Sequence, residues 1–337
     1  MSVLADQQPI TNVGTKRDQL ASARALAALA ELEPRGDHTI SIGRTQLKLT
    51  SLDKLIYPEA GLTKLDVVRW YAAIAPAILP HLRGRPLTLK RYPDGVDGEF
   101  FYQKRCPDHA PDWVQTTDPI GDQQVSYCLP DDVRTLVWTA QLSDLELHVL
   151  LARATRVEQP TVIAFDLDPG EGAGIVECCE VALLVRELFA QLDMQAFAKT
   201  SGSKGMQVYV PLNDRSITYE QTKPTAKAIA ELLARTHPEL IVSKMLKQLR
   251  RGKVLVDWSQ NDEHKTTICV YSLRAMQRPT ISTPLLWDEV EAARDAGDQA
   301  ALRFEPDDVM ERIARHGDLF EPVLRLHQQL PDLIGGS

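Results

Sequence analysis

The spacing of apolar and polar residues predicts a compact mixed unit in the second half of the chain. Residues 161–165 are mostly apolar and β-favouring and lead into Asp166 and Asp168, and Pro169-Gly170 ends the run, so a buried strand is expected over 161–167. Apolar positions in 175–192 recur on one helix face. The remaining elements are predicted as strands at 195–200, 206–211, 253–258 and 266–271 and a helix at 219–235. The order βαββαβ is typical of a ferredoxin-like, RRM-like α+β fold.

The residues on either side of this unit predict further helices and hairpins. Residues 16–33 carry Ala and Leu at helical spacing, and residues 38–50 read as a hairpin that turns at Gly43. Thr63 is a good N-cap for a helix over 64–78. The other predicted elements are a helix or strand pair at 131–150 and helices at 285–297, 306–316 and 319–330.

Composition restricts the class of protein. The 337 residues are 44% hydrophobic, which suits one or two domains with a large core. The net charge of −8 excludes a surface coated in positive charge, so any nucleic-acid binding depends on local basic patches. The five cysteines include no CxxC pair, which indicates neither a disulfide framework nor a zinc site and favours a reducing cytoplasm. No membrane span or signal peptide is predicted.

Two carboxylates at the end of the central strand are the first candidates for chemistry. Asp166 and Asp168 are two residues apart, so they share one face of a strand. Their mutual repulsion favours a hard divalent cation such as Mg²⁺ or Mn²⁺. The alternative is a solvated turn at the strand end. A calcium loop ending at Glu177 is less suitable, because Glu171 stands where its glycine is required.

Asp257 is a third candidate, because it follows a basic run late in an apolar strand. In a βαββαβ unit the fourth strand lies beside the first, so Asp257 could join the other two carboxylates. The two strands are antiparallel, and the sequence does not fix their register.

Basic and aromatic residues offer sites for phosphates and bases. Residues 83–105 combine six Lys and Arg residues with the aromatic run 100–102, which suits base stacking beside a phosphate backbone. The alternative places these rings in the core. The turn 201–205 carries Lys204 and could hold an anion, although such turns are often only turns. Lys54 and Lys64 flank another turn and could clamp one phosphate, or remain surface charges.

Together, these motifs resemble the polymerase domain of bacterial ATP-dependent DNA ligase D, in the archaeo-eukaryotic primase superfamily. The resemblance runs from about Ile40 to about Leu330 and is carried by LDKLIYPEAGLTK, RPLTLKRYPDGV, LELH, FDLDPGEG, TSGSKG, RRGKVLVDWSQN, KTT and YSLRA. It implies a primase-type catalytic core with an N-terminal α/β part over 40–337, after an N-terminal extension with a helix over 1–39. A stand-alone relative associated with bacterial ligase C is the expected class.

The resemblance also implies roles for individual residues. It implies metal binding by Asp166, Asp168 and Asp257; nucleotide binding by Lys90, His148, Ser201, Lys204 and Arg274; 5′-phosphate binding by Lys54 and Lys64; and template stacking by Phe101 and Tyr102. Gln207 departs from the family, which often has His there, and this affects one expected nucleotide contact.

The resemblance implies a DNA-dependent primase-polymerase that fills short, 5′-phosphorylated gaps during repair and prefers ribonucleotides. Two Mn²⁺ or Mg²⁺ ions and a nucleoside triphosphate would serve nucleotidyl transfer. The expected partners are gapped or primer-template DNA and an ATP-dependent DNA ligase, and no membrane association is expected. The protein is expected to be a monomer in the cytoplasm, associated with the nucleoid. Two alternatives remain: a non-catalytic DNA-end module that recruits a ligase, and a metal-dependent nuclease, against which the many phosphate-binding candidates argue.

Overall fold

A computed structural model describes residues 8–120 and 124–330, and the chain forms two compact units. The first unit comprises Met1–Val149, Ile268–Ile281 and Phe304–Asp318, and the second comprises Leu150–Thr267, Ser282–Arg303 and Leu319–Ser337. Among the described residues, no helix combines the length and the apolarity needed to cross a membrane.

The helices and strands follow one another along the chain as follows. The helices are α1 (Lys16–Ala30), α2 (Lys64–Leu82), α3 (Val133–Gln141), α4 (Ile175–Ala190), α5 (Tyr219–Thr236), α6 (Trp287–Ala296), α7 (Pro306–His316) and α8 (Pro322–Arg325). The strands of the first half are β1 (His38–Ile42), β2 (Thr45–Leu49), β3 (Leu55–Tyr57), β4 (Leu62–Thr63), β5 (Leu87–Arg91), β6 (Phe101–Gln103), β7 (Gln115–Thr116), β8 (Cys128–Leu129) and β9 (Asp144–Leu150). Those of the second half are β10 (Ala152–Arg153), β11 (Arg156–Pro160), β12 (Val162–Pro169), β13 (Phe197–Thr200), β14 (Met206–Pro211), β15 (Ile241–Val242), β16 (Val254–Asp257), β17 (Thr266–Ile268), β18 (Leu273–Arg274) and β19 (Thr280–Ile281).

The second unit is built on a five-stranded sheet with the order β13-β14-β12-β16-β15. The strands β12, β13, β14 and β16 pair antiparallel, and β15 adds a parallel strand at the edge beside β16. With α4 and α5 as the connecting helices, this order confirms the predicted βαββαβ unit. The helix α4 packs on β12 and β14, and Phe189 meets Phe165 with ring centroids 5.8 Å apart.

The central position of β12 explains its apolar sequence. Both of its edges are paired, and its residues 162–165 and Leu167 are buried. Only its carboxyl-terminal end carries acidic side chains. There Gly170 lies so close to the backbone of Arg250 that a Cβ atom at position 170 would be 1.9 Å from the Arg250 carbonyl oxygen. Glycine is therefore required where the strand ends.

The first unit confirms the predicted N-terminal elements. Thr63 caps α2 in a capping box with Asp66, and α2 extends beyond the predicted end at residue 78 to Leu82. The strands β1 and β2 form the predicted hairpin, with Gly43 in the left-handed region at φ 64°. The helix α1 packs on α2, where the Ser22 hydroxyl donates to the Ala72 carbonyl at 2.7 Å.

Strand β5 organises the sheet of the first unit. It pairs antiparallel with β6, β8 and β9. Residues 131–150, predicted as a helix or a strand pair, form α3 followed by β9. This sheet therefore aligns side chains of β5 with side chains of β9, among them two of the predicted site residues.

Two expectations from the sequence are wrong. The predicted helix over 319–330 is limited to α8, which ends at Arg325. Beyond it, Gln328 bonds to the end of β14 instead of continuing the helix: its backbone amide donates to the Leu212 carbonyl and its side chain donates to the Pro211 carbonyl. The cysteines do form a disulfide, between Cys106 and Cys128. These residues are 22 positions apart, and β8 with its neighbouring loop brings them together, which no local pattern encodes.

Candidate active site

The three predicted carboxylates lie on one face of two adjacent strands. In the pairing of β12 with β16, Asp166 lies directly opposite Asp257. Directly opposite residues place their Cβ atoms about 4.5–5.5 Å apart on the same face. Asp168 is two residues further along β12 and shares that face. The register that the sequence could not fix thus brings all three acidic residues together.

Each carboxylate has a different polar neighbour. The Gln207 side chain on β14 donates to Asp166 at 3.1 Å. Asp168 pairs with the Arg250 guanidinium at 3.0 Å. Asp257 accepts from the Ser259 amide at 2.8 Å and from the Gln260 side chain at 3.0 Å.

Burial and, to a smaller extent, the charges of Asp257 and Asp168 raise the pKa of Asp166 to about 6, against the hydrogen bond from Gln207. Such a set of oxygen donors under mutual repulsion has the chemistry that Mg²⁺ and Mn²⁺ prefer. In their present positions, no three His, Cys, Asp or Glu side chains of the described residues are arranged to hold a metal ion.

The turn at residues 201–205 lies beside the carboxylate strand. The Ser201 hydroxyl accepts from the amides of Ser203 and Gly205, both at 3.2 Å. A Cβ atom at Gly205 would lie 2.1 Å from the carbonyl oxygen of Leu167, the residue between the first two carboxylates. Ser201 is buried and Lys204 is exposed, so the turn offers an ammonium group to an anion near β12.

A buried glutamate in the first unit contacts three of the predicted nucleotide-binding residues. Glu146 on β9 accepts from Lys90 at 3.1 Å and from the His148 ring nitrogen at 3.1 Å, and lies 3.4 Å from the Arg274 guanidinium. Its side chain is only 3% exposed. The sequence reasoning missed Glu146, although Glu146 and His148 are two residues apart on a strand and must share a face.

Charge around Glu146 fixes the protonation of the cluster. Burial opposes ionisation, but the hydrogen bond from His148 and the charges of Arg274 and Lys90 hold the pKa of Glu146 well below its usual range. Burial lowers the pKa of His148, and Glu146 partly offsets this. These contacts favour the ionised form of Glu146, while burial favours the neutral form of His148.

Lys54 and Lys64 are held close together by the backbone. The Lys64 amide donates to the Lys54 carbonyl at 2.8 Å. The Lys54 ammonium donates to the Pro93 carbonyl at 2.6 Å and to the Asp94 carboxylate at 3.0 Å. Burial and the charges of Lys54 and Arg91 lower the pKa of Lys64 to about 8. Two ammonium groups that repel each other in this way suit a bound anion.

The aromatic run at residues 100–102 faces solvent, so the alternative that these rings are core residues is wrong. Phe100, Phe101 and Tyr102 are 50%, 44% and 57% exposed. The Lys90 ammonium lies 4.5 Å from the centroid of the Phe100 ring, and the Arg91 guanidinium lies 5.2 Å from that of Phe101. Exposed rings beside cations can stack on nucleic-acid bases.

The predicted residues thus form separate groups within the two units. In the second unit, the three carboxylates and the turn with Ser201 and Lys204 lie together on and beside β12. The first unit holds the cluster around Glu146, the Lys54–Lys64 pair and the exposed aromatic run. Gln207 is buried and donates to Asp166, while its carbonyl oxygen accepts from the Tyr209 hydroxyl at 3.4 Å.

Comparison with known proteins gives consistent matches over most of the chain. The sequence model of the LigD primase-polymerase domain matches residues 63–320. The multifunctional non-homologous end joining protein LigD of Mycolicibacterium smegmatis is 40% identical over 283 residues, which cover 82% of this chain and 36% of that protein. The bifunctional LigD of Bacillus subtilis is 33% identical over 286 residues, covering 85% of this chain and 45% of that protein. The chain therefore spans less than half the length of these relatives.

A solved structure matches the fold. It is the polymerase domain of Mycobacterium tuberculosis ligase D in complex with DNA, with a TM-score of 0.76 and 39% sequence identity. The match covers 82% of this chain and 98% of that one.

Proposed function

Because the chain belongs to the LigD primase-polymerase domain family, we propose that it is a template-directed nucleotidyltransferase that fills short gaps during DNA repair. The observation that carries the proposal is the register of β12 and β16, which sets Asp166 opposite Asp257 and on the same face as Asp168. Residues 40–337 would form the catalytic domain, and residues 1–39 an extension to it.

In the proposed reaction, the 3′-oxygen of a primer attacks the α-phosphorus of a nucleoside triphosphate. The new bond joins oxygen to phosphorus, the bond to the β-phosphate oxygen breaks, and pyrophosphate leaves. Two Mg²⁺ or Mn²⁺ ions held by Asp166, Asp168 and Asp257 would lower the pKa of the 3′-hydroxyl and neutralise charge on the leaving group. Asp168 pairs with Arg250 in this structure, so it would hold a cation in place of that partner.

The basic residues supply binding and orientation. In the first unit, Lys90, His148 and Arg274 would bind nucleotide, with Glu146 keeping the three side chains in place. In the second unit, Ser201 and Lys204 are the proposed nucleotide-binding residues of the turn. Cations already fixed by neighbours stabilise a polyphosphate without reorganising during the reaction. Support comes from the shared contacts of Lys90, His148 and Arg274 with one buried carboxylate.

Two further groups would recognise the DNA. The Lys54–Lys64 pair would bind the 5′-phosphate on the far side of a gap, and Phe101 and Tyr102 would stack on template bases. The solved relative is a complex with DNA, and the LigD relatives are named for non-homologous end joining, which supports a role on broken or gapped DNA. An ATP-dependent DNA ligase is the proposed partner, because the filled gap is a nick that must be sealed.

The decisive experiment is extension on a one-nucleotide gap. A labelled primer is incubated with ribo- or deoxynucleotides and with Mg²⁺ or Mn²⁺, on gaps that carry a 5′-phosphate or a 5′-hydroxyl. We expect one-nucleotide products, more product from the phosphorylated gap and from ribonucleotides, and none from the Asp257→Asn variant.

The same assay separates the alternatives. A metal-dependent loss of primer length without nucleotides would indicate a nuclease. The absence of any nucleotide-dependent product, with DNA binding retained, would indicate a non-catalytic DNA-end module. Either result would contradict the proposed polymerase.

A further inference from the structure

An arginine-lined cavity of about 560 Å³ lies in the first unit, and its lining includes none of the candidate site residues described above. It is formed by α1, the turn of the β1–β2 hairpin and the amino-terminal end of α3. Eight of its twelve lining residues are either positively charged or apolar. The charged ones are Arg17, Arg24, Arg44 and Arg134, and the apolar ones are Leu20, Ala21, Ile42 and Val133. The volume falls within the usual range for small-ligand sites, about 300–1,000 Å³.

The two acidic residues in the lining are already neutralised by other partners. Asp18 is buried and pairs with the Arg83 guanidinium at 2.5 Å, and the Thr15 hydroxyl donates to it at 2.6 Å. Asp132 caps α3 and pairs with Arg134. Burial raises the pKa of Asp132, but the bonds from Arg134 and Thr135 outweigh this and hold the pKa below its usual value. Neither carboxylate is left to balance the remaining arginines.

Three of the arginines have no internal partner among the described residues. Arg17, Arg24 and Arg44 are exposed, and within residues 8–120 and 124–330 none of them makes a hydrogen bond or an ion pair. Arg17 and Arg24 are seven residues apart on α1, so they lie on the same side of the helix at a separation of about 10 Å along its axis. They therefore form a row of positive charge on a chain whose net charge is −8.

This arrangement selects the chemistry of the ligand. Every cation in the lining is arginine, whose planar fork binds phosphate oxygens in pairs and stacks on flat rings. Leu20, at 59% exposure, and the other apolar residues supply a surface for a base or a sugar. Several arginines beside apolar side chains suit a ligand that carries several negative charges and a flat, weakly polar ring.

We propose that this cavity binds nucleotide phosphates, carried by a DNA strand or by a free nucleoside triphosphate, at a site separate from the proposed catalytic residues. The helix α1 and the β1–β2 hairpin precede the part matched by the family model, residues 63–320. The site therefore depends on segments that lie outside that match. It needs no catalysis, so it stands or falls independently of the polymerase proposal.

The test compares two double variants with the same change in charge. Arg17→Gln/Arg24→Gln removes the row on α1, while Lys16→Gln/Arg35→Gln removes two exposed cations of the same segment that do not line the cavity. Both are made in the Asp257→Asn background, so that nucleotide addition cannot affect the result. Arg44→Gln is a third variant, in a different element.

Two probes distinguish the sources of phosphate. The first is a fluorescent single-stranded oligonucleotide with a 5′-hydroxyl, measured by anisotropy over a range of salt concentrations. We expect the cavity variants to weaken binding by roughly tenfold and to reduce the salt dependence by about one counterion per arginine. The matched control should stay within about twofold. The second probe is ATP in titration calorimetry, where loss of a binding step in the cavity variants alone would assign the site to free nucleotide.

Equal weakening by the cavity variants and the matched control would overturn the proposal, because it would show only a general effect of charge. Unchanged binding of both probes in the cavity variants would overturn it as well. Thermal unfolding of each variant, compared with the Asp257→Asn background, excludes a folding defect, which is not expected because the five substituted cations are exposed.

Discussion

Glu146 shows at the scale of single residues how a buried charge can organise a set of binding groups. Its two oxygens contact Lys90, His148 and Arg274 and accept from the Ala275 amide at 3.1 Å. A buried carboxylate with this many charged partners is costly to remove, because the cations that it neutralises remain behind.

We expect Glu146→Gln to lower the free energy of unfolding by roughly 3–5 kcal/mol, the usual cost of breaking a buried ion pair. It should also raise the KM for nucleotides more than it lowers kcat, because the three binding side chains lose their common anchor. Urea unfolding and steady-state extension measure the two effects. The matched control is Glu158→Gln, an exposed residue on β11. A stability equal to that of the control would contradict this role for Glu146.

A second residue-scale prediction concerns the repulsion between the carboxylates. Asp166→Asn removes one buried negative charge that faces two others, so without metal the variant should unfold at a higher temperature, with a gain of about 1 kcal/mol. Added Mn²⁺ should raise the Tm of the unmodified chain. At a hundredfold excess over Kd, the free energy of unfolding should increase by about 2.7 kcal/mol. It should not raise that of the variant. An equal Mn²⁺ effect on both proteins would exclude Asp166 as a ligand.

The pKa of Lys64 predicts how 5′-phosphate binding depends on pH. Because burial lowers this pKa to about 8, the free protein loses the Lys64 charge as pH rises through 8, and a bound phosphate would restore it by proton uptake. The preference for a 5′-phosphate over a 5′-hydroxyl gap should therefore weaken between pH 7 and pH 9.

The variant Lys64→Arg tests this explanation, because arginine stays charged throughout the range. It should keep its preference at pH 9, while Lys64→Ala should have none at either pH. Binding of the two gapped DNAs by anisotropy is the measurement. A pH dependence in Lys64→Arg as steep as in the unmodified chain would assign the effect to another group.

At the scale of elements, the strands β12 and β16 carry the candidate site through their register. The end of β12 depends on Gly170, where a side chain would collide with the Arg250 carbonyl at 1.9 Å. Gly170→Ala should therefore displace the segment that pairs Arg250 with Asp168, lower stability by about 1–3 kcal/mol and reduce extension. Unchanged unfolding and extension would show that the segment moves aside without cost.

The elements that the sequence predicted best are those with a strong period. The strand β12, the helices α4 and α5 and the hairpin at Gly43 each have one buried face or one special turn, so local spacing is sufficient. The register of β12 with β16 depends on long-range packing, which no local pattern contains. The helix predicted over 319–330 ended early for the same reason, since Gln328 finds partners on β14.

The candidate site was predictable where chemistry and spacing coincide. The Asp166 and Asp168 pair is visible from its spacing, and the family resemblance named most of the residues that we propose to bind nucleotide or DNA. Glu146 was missed because an acidic residue between Leu145 and Leu147 gives no sign of its partners on β5 and near β18. The Cys106–Cys128 disulfide was missed because nothing in a 22-residue separation indicates contact.

At the scale of the whole molecule, both units are assembled from segments that are distant in sequence. The last segment of the first unit contains α7 and ends at Asp318. There the Asp318 carboxylate bonds the His81 ring at 2.8 Å and the Tyr271 hydroxyl at 2.7 Å. A chain shortened to end at Arg303 should therefore lose folding of the first unit and all extension, although it keeps every proposed catalytic residue. Circular dichroism and thermal unfolding of the shortened chain test this.

This interleaving has a consequence for synthesis on the ribosome. Both units include residues beyond 303, so the apolar residues of α2 and of β12 cannot be fully covered until those residues have left the exit tunnel. We expect nascent chains that expose only residues up to 303 to bind chaperones and to remain sensitive to protease, and chains that expose the later segments of both units to become resistant in one step.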